Sequence, residues 1–129
     1  MDDTHDAMRA VRNDRFKLIH NLMPERAYCQ LNEYKELQYP MLALMNVLNM
    51  EGKLNPVQAR FMAATKPEFE LYDLQNDPHE INNLAADPQH ADVKAELLNE
   101  IERWQTEMKD NGVTDEFRKG GWPATYPTK

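Results

Sequence analysis

The chain has 129 residues, 41% of them hydrophobic and 29% charged, the size and balance of one globular domain rather than a disordered segment. Its formal charge of −7 excludes a general nucleic-acid binder, which needs a basic surface to meet phosphates. The longest apolar stretch, Met41 to Met50, is broken by Asn46 and Asn49 and is too short to cross a bilayer, so no membrane partner is expected. The first residues are acidic and hold no apolar run that reads as a signal peptide. Cys29 is the lone cysteine, which excludes an internal disulfide and a cysteine-rich metal module.

Residues 7–21 read as a β-hairpin. Phe16, Leu18 and His20 alternate with Arg15, Lys17 and Ile19, the period of a strand. Asn13-Asp14 offers two residues that tolerate the left-handed backbone of a tight hairpin turn. Pro24 closes the strand pattern, because proline cannot donate to a ladder. From Glu25 to Tyr39 no period is visible, and a long irregular connection is expected.

Pro40 suits the first position of a helix running to about Met50, with Gly52 as its stop. Asn55-Pro56 repeats the start signal for a short helix through about Ala64, which Lys66-Pro67 ends. Residues 69–74 alternate as a third strand, and Gln75-Asn76-Asp77-Pro78 follows as a turn. Asp87-Pro88 opens the longest helix, residues 88–110, ending at Asn111-Gly112. Val93, Leu97, Ile101, Trp104 and Met108 form its apolar stripe, expected to bury Trp104 against the sheet. The fold class is therefore α+β: a small antiparallel sheet (hairpin 7–21 plus strand 69–74) packed by helix 88–110, with a helical insertion at 40–64. Residues 1–112 form this unit, and 113–129 are an irregular tail.

The helix at 41–50 is apolar on nearly every side, through Met41, Leu42, Leu44, Met45, Val47, Leu48 and Met50. One small sheet cannot cover such a helix. An exposed apolar patch is expected there, through which the isolated chain self-associates as a homo-oligomer, unless the tail around Trp122 and Tyr126 covers it. Histidines 5, 20, 79 and 90 match no metal spacing, and no metal ligand is assigned. Asp73 reads as a strand-end residue capping the next turn rather than a proton-transfer group. Residues 8–27 carry five cations against two carboxylates, a basic hairpin in an acidic chain. Its cations either protect a sheet edge or face an anion. Arg26, Tyr28, Gln30 and Tyr34 combine guanidinium, aromatic and amide groups suited to hydrogen-bonding and stacking on sugars, and are the candidate substrate-binding residues.

The stretch Phe69-Glu70-Leu71-Tyr72-Asp73-Leu74, a polar turn, then Asp77-Pro78-His79-Glu80-Ile81-Asn82-Asn83-Leu84-Ala85 and a closing helix resembles the C-terminal signature of type I sulfatases. The strand pair Met8–Arg12 and Arg15–Ile19 is similar to the one preceding that signature in the family. Asn21 through Pro24, Tyr28, Gln30, Gly52-Lys53-Leu54, Gln58, Phe61 and Lys66-Pro67-Glu68 resemble, in order, bacterial members akin to heparan N-sulfatase and the arylsulfatases. The resemblance covers about residues 2–110.

It implies the C-terminal α+β part of a sulfuric ester or sulfamate hydrolase acting on sulfated carbohydrates, completing the fold and rimming the substrate pocket. The family's formylglycine, made within a C-x-P-x-R or S-x-P-x-R motif, and its calcium belong to a large catalytic domain. Cys29 sits in Cys29-Gln30-Leu31-Asn32-Glu33, with Leu31 and Glu33 where that motif needs Pro and Arg, so no catalytic residue is assigned. The chain alone should be inactive, its partner being the catalytic domain. The family setting implies a periplasmic or secreted parent. The alternative is a stand-alone, non-catalytic interaction module derived from a sulfatase tail and dimerising through the 41–64 helices.

Overall fold

The computed structural model describes residues 4–30, 32–115 and 117. The elements run in the order β1 (Met8–Arg12), β2 (Phe16–Asn21), α1 (Glu33–Gln38), α2 (Pro40–Met50), α3 (Pro56–Phe61), β3 (Phe69–Asp73), a 3-10 turn (Pro88–His90) and α4 (Ala91–Met108). They divide between two units. Of the described residues, one holds 7–23 and 67–114, and the other holds 4–6, 24–30, 32–66, 115 and 117.

The first unit is the sheet and its helix, and the expected α+β class is what it shows. The three strands lie in the order β1-β2-β3, all antiparallel. Val11 faces Leu18, and Leu18 faces Leu71, so one side of the sheet presents a continuous apolar row. Phe16, Leu18 and Leu71 bury against Leu97 and Ile101 of α4, with Val11, Val93, Leu84 and Leu98 at the margin. The hairpin turn uses no left-handed residue, contrary to expectation. Instead the Asn13 side chain accepts the amides of Arg15 (2.9 Å) and Phe16 (2.7 Å), holding the turn from outside.

Helix α4 departs from expectation in two ways. It ends at Met108, with Lys109 in the left-handed conformation as its cap, rather than running on to Asn111-Gly112. Trp104 is 47% exposed and Met108 63%, so the lower end of the stripe is not core. Among the described residues the sheet is three strands wide, and Trp104 lies beside its edge strand: it lines a 350 Å³ cleft with Met8, Ala10 and Val11 of β1.

Three of the hairpin cations are engaged within this unit. Arg9 makes a two-point pair with Asp110, Arg15 reaches Asp73 (2.6 Å), and Lys17 reaches Glu80 (2.8 Å). Asp73 also caps the following turn, accepting the amides of Gln75 and Asn76. The outer edge of β3 is closed by the chain itself. The Asn83 side chain accepts the Leu71 amide (2.9 Å) and donates to the Phe69 carbonyl (3.0 Å), while the Leu84 amide bonds the Leu71 carbonyl (2.8 Å).

The second unit is helical. Here α1 corrects the expectation of an irregular connection from Glu25 to Tyr39: Asn32 caps it by accepting the Lys35 amide at 3.0 Å. Proline opens α2 and α3 as expected, and Asn55 and Gln58 form a reciprocal capping box on α3. Leu42 is the one buried residue of α2, whereas Met41, Leu44, Val47 and Met50 are exposed, as the all-round apolar pattern foretold. Trp122 and Tyr126, the residues expected to cover that helix otherwise, lie outside the described residues. Among the described residues, no helix is long and apolar enough to cross a membrane.

Candidate functional site

A cavity of about 760 Å³ opens in the helical unit, the volume of a small-molecule site. Three pieces of sequence build it. The irregular segment after Pro24 supplies Tyr28, Cys29 and Gln30; α1 with its caps supplies Asn32, Tyr34, Lys35 and Tyr39; α2 and α3 supply Met41, Leu42, Met45 and Phe61. Tyr34, in the first turn of α1, and Tyr39, its extended C-cap, meet edge to face at 5.8 Å.

Buried polar contacts hold the irregular segment. The Lys66 side chain is wholly buried, paired with Asp6, and its ammonium stands 5.9 Å from the Tyr28 ring. The Lys66 amide donates to the Pro24 carbonyl at 3.0 Å. Arg26 is also buried, and donates through Nη1 to the His5 carbonyl at 3.0 Å. Arg26 is not among the residues that line the cavity. Tyr28, Gln30 and Tyr34 do come together there, Gln30 buried and Tyr34 64% exposed at the mouth. Sequence reading missed Tyr39, Phe61 and the methionines; the Asn32 start signal ahead of Glu33-Tyr34-Lys35-Glu36 could have placed α1 and so found Tyr39.

Chemically the cavity offers aromatic faces, two amides and one cation. Cys29 is buried and its thiol is pushed up by desolvation, so at neutral pH it is protonated and a poor nucleophile. Among the described residues, no group of three or more His, Cys, Asp or Glu stands together as a metal site. These residues do not fit a formylglycine or a calcium ion. Elsewhere, His20 stacks on Phe69 at 4.5 Å and His79 is exposed in its turn.

Residues 58–107 match the family described as N-sulphoglucosamine sulphohydrolase, C-terminal. The chain carries a sulfatase C-terminal subdomain. An ulvan-active sulfatase of Formosa agariphila is 40% identical to it over 110 residues, 85% of this chain and 18% of that protein. The human N-sulphoglucosamine sulphohydrolase is 30% identical over 112 residues, 82% of this chain and 21% of that protein. A second ulvan-active sulfatase of Formosa agariphila is 42% identical over 45 residues. The sulfatase subdomain thus spans about a fifth of the first two relatives. The family match takes in α3, β3 and α4, while the cavity residues from Tyr28 to Met45 lie ahead of it.

Proposed function

We propose that this subdomain serves a sulfuric ester or sulfamate hydrolase acting on sulfated carbohydrates, and that its cavity forms part of the rim where the sugar is held. The observation that carries this reading is the cavity's make-up: tyrosine faces beside Gln30, Asn32 and Lys35, in a chain whose relatives are sulfatases. Aromatic faces stack on sugar rings, amides bond hydroxyls, and Lys35 supplies a charge for a sulfate. Arg26 is not among the residues that line the cavity and is left out of this reading. The nucleophile and the calcium come from the catalytic domain, which is the partner of this subdomain. That domain also covers the exposed side of α2. A free-standing interaction module is not favoured, since the relatives are much longer enzymes.

Titrating O-sulfated and N-sulfated disaccharides into the 129-residue chain, followed by NMR, tests the reading. Shifts are expected at Tyr28, Gln30 and Tyr34, and should weaken at least tenfold in apparent affinity in Tyr34→Ala. Shifts confined to the hairpin cations, or none at millimolar sugar, would overturn it.

A further inference from the structure

Just beyond its C-cap, α4 is tied to β1. The Asp110 amide returns to the Gln105 carbonyl at 2.8 Å, and the Asp110 carboxylate takes the Arg9 guanidinium at two points. The oxygen that Arg9 Nη2 reaches at 2.8 Å also accepts the Gly112 amide, at 3.0 Å. The peptide plane joining Asn111 to Gly112 is thus held by the same carboxylate that holds Arg9. Asn111 itself is exposed, and its side chain makes no hydrogen bond among the described residues. Other asparagines are placed differently. Six have side chains fixed in hydrogen bonds, Asn13, Asn55 and Asn83 among them. Three more lie inside α2 and α4. Asn111 alone is followed by glycine, which here holds a left-handed backbone with φ of 67°.

We propose that Asn111 is a modification site: its side chain cyclises onto the Gly112 amide and opens to aspartate and isoaspartate, at a rate set by release of the Arg9–Asp110 pair. In the ring closure the Gly112 nitrogen gives its proton to solvent hydroxide and bonds Asn111 Cγ. The Cγ–Nδ2 bond breaks and ammonia leaves. Water then adds to one of the two carbonyl carbons of the succinimide, and the bond from that carbon to the ring nitrogen breaks. The net exchange is one amide and one water for one acid and one ammonia. Asparagine is among the thermally labile residues, and glycine has no Cβ to crowd the attacking nitrogen. What the structure adds is restraint. The nitrogen must turn toward Cγ, and its N–H is engaged by a carboxylate that Arg9 fixes in place. The product acts back on the same tie. It adds a negative charge at the C-terminal end of α4, where the helix carbonyls favour cations. The isoaspartate form also lengthens the main chain between 111 and 112, which breaks the Gly112–Asp110 geometry.

The full 129-residue chain, incubated at mildly alkaline pH, tests this through the tryptic peptide that follows Lys109. Mass spectrometry should show the amide of Asn111 exchanged for acid, in two chromatographic forms with isoaspartate in excess. Arg9→Gln and Asp110→Ala each free the Gly112 amide and should speed the loss at least about threefold, as the locally open state becomes more populated. Urea removes the pair without any substitution and should speed it likewise. Asn111→Gln, at an exposed position, should abolish the change while leaving circular dichroism unaltered. The deamidated wild type should melt below the fresh chain. An intact Asn111 after other asparagines have reacted would overturn the proposal. Aspartate without isoaspartate would do so too, by showing direct hydrolysis rather than cyclisation. Equal rates in the native chain and in urea would show that the Arg9–Asp110 pair restrains nothing.

Discussion

Leu97 and Trp104 share one stripe of α4 but not one environment: Leu97 is 3% exposed and Trp104 47%. Leu97→Ala should therefore cost about 2–5 kcal/mol, as core truncations do. Trp104→Ala should cost about 1 kcal/mol, close to the value for surface positions despite the larger side chain; chemical denaturation of both variants checks the ranking. Periodicity correctly put the two on one face, yet it carries no information about how wide the opposing sheet is. Asp73 was better marked, because a strand-end aspartate before a turn has few other uses. The guanidinium of Arg15 beside it, and that of Arg9 beside Asp110, hold both carboxyls well below the usual carboxylate range. A carboxylate with a depressed folded pKa contributes stability above its unfolded pKa of about 4, and loses it as pH falls toward the folded value. The melting temperature should accordingly drop on acidification below about pH 4. Asp73→Asn with Asp110→Asn should flatten that limb.

At the scale of elements, strands and long helices were legible because alternation and proline start signals act locally. Helix α1 was not, since six residues are too few to display a period; its evidence is a single cap, Asn32 on Lys35. The closed edge of β3 was legible only as a pattern: the Asn83-Leu84-Ala85 ending of the signature could be matched without saying that Asn83 substitutes for a strand. For α2 the pattern did foretell exposure. Because Leu44 is 50% and Val47 45% exposed, Leu44→Glu with Val47→Glu should leave the melting temperature within a few degrees. The pair should at the same time markedly reduce binding of a hydrophobic dye. An unchanged dye signal would place the accessible apolar surface elsewhere.

Over the whole chain, the sulfatase kinship was legible because ordered motif pieces survive across β1, β2, β3 and α4. The candidate site was only half legible, since a cavity arises from where separate segments meet. Tyr28, Gln30 and Tyr34 were recoverable as chemistry, whereas Phe61 joins them only once α3 is folded back. Sulfate ester cleavage needs an activated nucleophile and a cation. Neither is assembled among the described residues, Cys29 being a buried thiol. The purified chain is expected to leave an aryl sulfate intact, and turnover that disappears in Cys29→Ala would show the opposite.

The helical stretch 24–66 departs and returns through neighbouring points. The Asn21 amide meets the Glu68 carbonyl at 2.8 Å, and the Lys66 amide meets the Pro24 carbonyl at 3.0 Å. The pairing of β2 with β3 must therefore wait while a long excursion closes, a delay that grows only with the logarithm of loop length in free energy but bears directly on folding rate. The same neck makes the excursion separable. Replacing 24–66 by a short turn would join β2 to β3 as an ordinary hairpin, with the Leu18, Leu71, Leu97 and Ile101 core untouched. Such a shortened chain should refold faster than the parent in stopped-flow measurements and keep its cooperative melt. The site-bearing stretch would then be a cassette, free to lengthen or change in relatives without disturbing the sheet that carries it.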